Sequence, residues 1–220
     1  MRIAVAGAHG QVARRLGHLL TARGDTVVGI IRNPDHQADL EADGMQPAVV
    51  DLESASADDV AKVVSGADAV VFAAGAGPGS GAARKHTVDK GAAILRADAA
   101  ERAGVRPYLL VSSMGVELAR QGTPPGMDPV FATYLQAKLA AEDNILPRPA
   151  LATTIVRPGS LTDDPGTGRV TLARHAEPGS VPRDDVAAVL AAFLARPHDG
   201  TIVELVSGPT PVDEAVAAVY

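Results

Sequence analysis

Residues 2–20 constrain the fold of this chain more than any other stretch. Alternating apolar residues at positions 3–6 predict a short strand that runs directly into Gly7. A helical pattern of apolar residues then begins just past Gly10 and continues to Leu20. A strand, a glycine turn and a helix in this order place unpaired backbone amides where a dinucleotide pyrophosphate can bind.

Each small residue of this turn has a specific geometric role. Gly7 permits a sharp turn, and Gly10 lets the backbone approach phosphates without an intervening Cβ. The third small position is Ala13, whose methyl group still allows the helix to pack closely on the strand. The alternative is that the glycines serve only a structural turn.

The length and amino-acid composition of the chain indicate how many domains it forms and what its core is made of. A chain of 220 residues with 46% apolar content is expected to form one domain over residues 1–220. Aromatic residues make up only 3%, so the core must be built from Ala, Val, Leu and Ile, which suits a sheet covered by helices. The chain has no cysteine, which excludes disulfides and agrees with a reducing cytoplasm.

The net charge and the hydropathy of the chain limit the kinds of partner that it is expected to bind. A net charge of −6 without a clustered basic face argues against nucleic acid. No apolar run reaches membrane-spanning length, and the first strand begins without the features of a signal peptide. We therefore expect a cytoplasmic protein that acts on a small molecule; the oligomeric state cannot be predicted from these features.

Predicted strands and helices alternate along the chain. This pattern indicates an α/β protein with a single-domain Rossmann fold, in which a doubly wound parallel sheet carries helices on both faces. Ligands of such folds bind at the carboxyl ends of the strands. A long helix is predicted over residues 83–104 with Val88, Ala92, Leu95 and Ala99 on its inner face. Loops near residues 113–128 and 161–174 are expected to cover a substrate.

Arg32 follows the second predicted strand, where dinucleotide folds meet the adenosine ribose. An arginine here can neutralise a 2'-phosphate, which favours NADP(H) over NAD(H). Two alternatives remain: Arg32 is a solvated charge in a turn, or nearby Asp35 supports NAD(H). Asp51 and residues 73–75 also end strands, so Asp51 either bonds the adenine or caps a turn.

Tyr134 and Lys138 are four residues apart on a predicted helix, so both side chains can reach the cleft. An ammonium beside a phenol stabilises the phenolate and suits it for proton transfer. Ser113, at the end of a neighbouring strand, could bond a substrate carbonyl while a nicotinamide delivers hydride. The alternative is a partly buried tyrosine beside a surface lysine. Neither a metal site nor a cysteine nucleophile is predicted.

The whole chain resembles the atypical short-chain dehydrogenases/reductases, in the single-domain NAD(P)H-binding group that is similar to NmrA-like proteins and to biliverdin and flavin reductases. The motifs that carry this resemblance occur in the family's order. They are GAHG at 7–10, RN at 32–33, DL at 51–52, FAAG at 72–75, VSS at 111–113, YLQAK at 134–138, IVRPG at 155–159, LTDDPGTG at 161–168 and RDDVA at 183–187.

The resemblance implies a role for each matching residue. It implies that Tyr134 is the proton donor, that Ser113 is its partner and that Lys138 also bonds the nicotinamide ribose. The implied cofactor contacts are Gly7, His9, Gly10, Gln11 and Val12 at the pyrophosphate, Arg32 at the 2'-phosphate, Asp51 and Leu52 at the adenine, Ala73, Ala74 and Gly75 along the ribose and phosphates, and Arg157, Pro158, Gly159 and Ser160 beside the nicotinamide. The chain departs from the family pattern at His9, commonly threonine, and at Ala13, commonly glycine.

Two functions are compatible with these residues. The first is an NADPH-dependent oxidoreductase that reduces a small carbonyl, quinone-like or flavin-like compound by hydride transfer. The second is an NADP(H)-binding protein that senses redox state without turnover, as some members of the resembled group do. The proton-donor pair favours the enzyme, because a sensor does not need it.

Overall fold

The computed structural model describes residues 1–75, 77 and 80–219. Its strands are short and mostly buried, as expected for a sheet covered on both sides. The strands are β1 (Arg2–Ala6), β2 (Thr26–Ile31), β3 (Gln46–Val49), β4 (Ala69–Phe72), β5 (Pro107–Val111), β6 (Ala152–Pro158), β7 (Ser160–Thr162), β8 (Arg169–Ala173), β9 (Ser180–Pro182), β10 (Thr201–Ser207) and β11 (Thr210–Pro211).

Within the described residues, nine strands form one sheet in the order β11-β8-β10-β6-β5-β4-β1-β2-β3. In this sheet, strands β3, β2, β1, β4, β5, β6 and β10 are parallel to one another. Strand β8 runs antiparallel to β10 and to β11. The chain reverses direction across the sheet between β1 and β4, and ligands of open α/β sheets bind at such a switch point. The predicted fold class is confirmed, with an antiparallel edge that the sequence pattern did not reveal.

Helices cover both faces of the sheet. Alternation along β1 sends Ile3 and Val5 into one core with Leu16 and Phe193, while Ala4 and Ala6 face a second core on the other side. The helices are α1 (Gln11–Ala22), α2 (Gln37–Ala42), α3 (Ala57–Val64), α4 (Ala82–Arg84), α5 (Ala93–Arg102), α6 (Pro129–Ile145), α7 (Arg183–Ala195) and α8 (Val212–Ala217). None of the helices in the described ranges has the length and apolar character needed to cross a bilayer.

The helix predicted over residues 83–104 contains an irregularity that matters for the site. Between α4 and α5 the backbone is π-helical from Lys85 to Ala92, and we call this stretch the π segment. Because i→i+5 bonding takes more residues per turn, the residues after it are rotated relative to a continuous α-helix. Leu95 is only half-buried, contrary to its predicted inner position, and Arg96 is fully buried, whereas Val88, Ala92 and Ala99 are buried as predicted.

Strands β7 and β8 lie within or beside the predicted loop 161–174. Strand β7 pairs with β9 in a separate two-stranded parallel sheet, and β8 joins the edge of the main sheet. Strand β7 is too short to show an alternation, whereas Pro165 and Gly168, which precede β8, led to the prediction of a loop there.

Candidate functional site

The glycine turn after β1 packs directly against the end of β4. Gly7 has φ +75°, and a Cβ on it would lie only 2.6 Å from Cα of Ala74. The amide of Gly10 donates to the carbonyl of Gly7 at 2.8 Å, and a Cβ on Gly10 would lie 3.0 Å from that same oxygen. The backbone conformation and the close approach both require glycine at position 7.

The first turn of α1 opens toward the cleft. Gly10 is its N-cap and supplies no side-chain cap, and no acidic residue lies in the first turn. The amides there are therefore left to an external acceptor, and the helix dipole favours a negative one. This turn, with unpaired amides and no acidic side chain in its first helical turn, fits the diphosphate of a dinucleotide.

A cavity of about 320 Å³ lies on the β2 and β3 side of this turn; we call it the adenosine-side cavity. Many of the predicted cofactor residues share it, although they come from four separate segments of the chain. These residues are Gly7, His9, Gly10, Arg32, Asp51, Leu52, Ala73, Ala74 and Gly75.

Glu53 is the most heavily bonded side chain of the adenosine-side cavity. Its carboxylate accepts from Arg32 at 2.6 Å, from Arg84 at 3.0 Å and from the Thr87 hydroxyl at 2.6 Å. The Thr87 hydrogen bond, with help from Arg84 and Arg32, holds the pKa of Glu53 below its usual value although partial burial opposes the shift. Sequence reasoning missed Glu53 and Arg84, because no local motif marks either residue.

Two histidines stack at the same cavity. The rings of His9 and His36 are 3.5 Å apart and tilted by 10°. Nε2 of His9 lies 2.8 Å from the Asp39 carboxylate, and this hydrogen bond lowers the pKa of Asp39. The side chain of Asp51 accepts from the amide of Glu53 at 3.0 Å, so it caps a turn as one of the two sequence alternatives expected, while still lining the cavity.

A cavity of about 830 Å³ lies on the other side of the glycine turn; we call it the substrate-side cavity. It shares Gly10 and residues 73–75 with the adenosine-side cavity, so the two form one continuous cleft. The structure brings further predicted residues to the substrate-side cavity. They are Gln11, Val12, Ser113, Tyr134, Lys138, Pro158 and Gly159.

Lys138 is buried at the floor of the substrate-side cavity. Its Nζ donates to the carbonyls of Val111 at 3.0 Å and Ala74 at 3.2 Å, and lies 3.3 Å from Oδ1 of Asp89. The ammonium is 5.9 Å from the centre of the Tyr134 ring. Lys138 thus ties the ends of β4 and β5 to the π segment and lies beneath the tyrosine.

Other side chains around Tyr134 were not anticipated. Lys85, from the π segment, places its Nζ 5.4 Å from the centre of the tyrosine ring and donates to the carbonyl of Gly77 at 2.9 Å. The Phe131 ring lies 5.9 Å from that of Tyr134, and Val130, Phe131 and Leu161 expose apolar surface around the cavity. The π segment has no periodicity that would have marked Lys85 and Asp89 as residues of the site.

Arg157 and Ser160 line neither cavity, in contrast to the role the resemblance implied. The Arg157 guanidinium is buried in an ion pair with Glu142 and also bonds Glu117 at 3.0 Å. Burial alone would lower the pKa of Arg157, but the hydrogen bonds and charges of the two glutamates outweigh it and raise that pKa. Ser160 is exposed, because its strand β7 leaves the main sheet to pair with β9.

In the described ranges, His, Asp and Glu side chains do not form any group of three or more that could hold a metal ion.

Comparison with known sequences and structures agrees with the geometry. Residues 7–197 match the profile of a family described as NAD(P)H-binding. The Bacillus subtilis protein named uncharacterized sugar epimerase YhfK is 34% identical over 98% of this chain and 99% of its own length.

Solved structures extend the agreement. A Bacillus halodurans protein described as an NAD-dependent epimerase/dehydratase superposes with a TM-score of 0.90 at 35% identity, with 100% of both chains covered. The anaerobillin reductase ChuY from Escherichia coli O157:H7 superposes with a TM-score of 0.79 at 26% identity, over 96% of this chain and 100% of its own.

Proposed function

Because this chain belongs to the NAD(P)H-binding family, we propose that it is an NADPH-dependent oxidoreductase that reduces a small carbonyl, quinone-like or flavin-like substrate. The observation that carries the proposal is the continuous cleft. It joins the adenosine-side cavity, which is lined by Arg32, to the substrate-side cavity, which is lined by Ser113, Tyr134 and Lys138. The proposed setting is the cytoplasm, and the proposed partner is a small molecule.

The residues of the chain divide the work between binding and proton transfer. When bound, the nicotinamide supplies a hydride to the substrate. Tyr134 donates a proton to the substrate oxygen, and Ser113 orients that oxygen by a hydrogen bond. Lys138 contributes positive charge beneath the ring of Tyr134, while the apolar side chains of Val130, Phe131 and Leu161 reduce the access of water. The name of ChuY, a reductase, supports the reaction class.

The redox-sensing alternative has an observation of its own. All three ammonium protons of Lys138 have acceptors nearby, in two backbone carbonyls and the Asp89 carboxylate. Ser113 donates to the carbonyl of Met114 at 3.1 Å. Side chains committed to internal bonds in this way suit a protein that binds NADP(H) and reports its redox state to a partner without turnover.

We propose that the cofactor is NADP(H), with NAD(H) as the weaker ligand. A charge-assisted contact from Arg32 to the 2'-phosphate would favour NADPH over NADH by about 1.5–3 kcal/mol. The Arg32→Ala variant would then lose most of this preference. Equal affinities of the wild type for both nucleotides would remove the proposed role of Arg32.

The first experiment titrates the purified protein with NADPH and, separately, with NADH. The melting temperature is measured at each concentration of nucleotide. A ligand that binds only the folded state raises the melting temperature according to its concentration and affinity. Arg106→Ala is the matched control, because Arg106 is exposed at the amino end of β5, away from the cleft. The cofactor assignment is supported if NADPH raises the melting temperature more than NADH does, and if Arg32→Ala reduces this difference whereas Arg106→Ala does not.

Turnover separates the enzyme from the sensor. NADPH oxidation is measured at steady state with a panel of aldehydes, quinones and flavins. Turnover with any of them supports the reductase, and binding of NADPH without turnover across the panel favours the sensor. No melting shift with either nucleotide would contradict both functions.

A further inference from the structure

Donors from both walls of the adenosine-side cavity converge on a single carboxylate. Arg32 follows β2 on one wall and Arg84 ends α4 on the other, whereas Thr87 is an exposed residue of the π segment that does not itself line the cavity. All three donate to Glu53, over distances of 2.6, 3.0 and 2.6 Å. Glu53 therefore joins the two walls across the end of the cleft.

This donor set is better matched to a phosphate than to a carboxylate. Each guanidinium gives Glu53 one of its five N–H donors, so further donors of Arg32 and Arg84 are available for an additional acceptor oxygen. A phosphate monoester presents three strong acceptor oxygens and about two negative charges, and guanidinium forks match its geometry. The side chains of Arg32 and Arg84 are 51% and 42% exposed, so both are accessible from the cleft.

We propose that Arg84 and Thr87 complete, with Arg32, a binding site for the 2'-phosphate of NADP(H), and that Glu53 is an internal competitor that occupies this site when the phosphate is absent. The inference rests on the proposed function and deepens it. It assigns cofactor specificity to residues from both walls of the cleft and gives Glu53 a direct role in setting affinity.

The Glu53 carboxylate and the 2'-phosphate would compete for the same donors because both are negatively charged. The Glu53 carboxylate and a phosphate dianion repel each other and need the same donors, so Glu53 must turn away before the phosphate binds. Breaking its bonds to Arg32, Arg84 and Thr87 weakens binding of the phosphate. A different role for Glu53 would be to accept the free 2'-hydroxyl of NAD(H), and the two roles predict opposite effects of removing its charge.

The test uses two adenosine fragments that differ by one phosphate, adenosine 2',5'-bisphosphate and 5'-AMP, with dissociation constants measured by calorimetry on the full chain. We expect Glu53→Gln to tighten binding of the bisphosphate by about three- to tenfold, because an exposed ion-pair network opposes binding only modestly. We expect Arg84→Gln to weaken it by about tenfold or more, through loss of a charge-assisted contact. Neither change should alter the affinity for 5'-AMP by more than about twofold.

Arg102→Gln is the matched control for Arg84→Gln. Arg102 ends α5, where it pairs with Asp58 on the surface rather than in the cleft. The melting temperature of each variant without ligand verifies that it is folded. If Arg84→Gln fails to fold, Arg84→Lys keeps the charge but not the fork, and it should retain only part of the affinity for the bisphosphate.

The possible outcomes separate this inference from the proposed function. Unchanged bisphosphate affinity in folded Glu53→Gln and Arg84→Gln would overturn the inference while leaving cofactor binding intact. Weaker binding of 5'-AMP and NADH by Glu53→Gln would overturn it in favour of a ribose-hydroxyl role. Wild-type protein that binds neither fragment nor NADPH contradicts both proposals, whereas the expected pattern without any NADPH turnover overturns only the reductase.

Discussion

Oδ1 of Asp89 lies 3.3 Å from Nζ of Lys138, and the two side chains are 0% and 4% exposed. The lysine of the site is thus held by a carboxylate from the π segment, which lies inside the stretch 83–104 that the sequence pattern predicted as one helix. Segments of π-helix occur frequently at functional sites. The Asp89 to Lys138 contact links the shape of this helix to the position of Lys138 beneath Tyr134.

Replacing Asp89 with Asn should destabilise the protein, because it leaves the buried ammonium of Lys138 without its charged partner. Removal of one member of a buried pair costs on the order of 3 kcal/mol. The free energy of unfolding, measured in urea, tests this expectation. Asp58→Asn is the control: Asp58 pairs with Arg102 on the surface with 74% of its side chain exposed, and its loss should cost below about 1 kcal/mol. Equal losses in the two variants would contradict the importance of the buried pair.

The Gly7→Ala variant should lose both stability and nucleotide binding. Ala at this position combines a left-handed backbone with a Cβ 2.6 Å from Cα of Ala74, so we expect a loss of at least about 3 kcal/mol. Gly66→Ala is a close control, since Gly66 has φ +71° but no atom of the described residues beyond its chain neighbours lies within 4 Å of the position that its Cβ would take. It should lose only about 1–2 kcal/mol, from backbone strain. Unfolding in urea and a titration with NADPH measure the two effects.

If Tyr134 donates the proton, Tyr134→Phe should reduce turnover by about 10²- to 10⁴-fold and leave NADPH affinity nearly unchanged. The phenyl ring still fills the same space, so a general loss of structure is not expected. Thr133→Val is a suitable control, because the Thr133 hydroxyl bonds the carbonyl of Pro129 within α6 and not the cleft. Turnover that is equally fast in Tyr134→Phe and the wild type would exclude the tyrosine as proton donor.

The Arg14 to Asp43 contact predicts a pH-dependent contribution to stability. Arg14 donates to Asp43 at 2.9 Å, and this hydrogen bond, stronger than the opposing effect of burial, lowers the pKa of Asp43. A lowered pKa in the folded state stabilises it above the pKa of the unfolded state, about 3.9, and this stability is lost as the pH falls through the folded-state pKa. Asp43→Asn should therefore be less stable than the wild type at pH 7, with a difference that shrinks below about pH 4.

Urea unfolding at several pH values tests the Asp43 prediction. Asp213→Asn is the control: Asp213 is exposed in the first turn of α8, and its replacement should give a much smaller difference. A difference between wild type and Asp43→Asn that stays constant from pH 7 to pH 3 would contradict it.

Local patterns were sufficient to predict the parts of the protein that depend on neighbouring residues. The strand, glycine turn and helix of residues 2–20 were predicted correctly, because alternation, helical periodicity and the need for a positive φ at Gly7 are all local. The same patterns placed Arg32 at the carboxyl end of a strand and Tyr134 on a helix that reaches the cleft, since the topology of a parallel sheet gathers those strand ends along one edge.

Tertiary structure decided which side chains meet across the cleft. Glu53 with Arg84, Asp89 with Lys138 and Glu142 with Arg157 come from segments distant in sequence, and no spacing rule joins them. Arg157 shows the limit most clearly: its place at the carboxyl end of β6 was predictable, but the burial of its guanidinium depended on a carboxylate from α6. The sequence by itself determined the order of elements and the sheet edge at which ligands of such folds bind, because these follow from local conformation and chain connectivity. The pairing of charges within that edge depended on packing between elements, which only the folded chain sets.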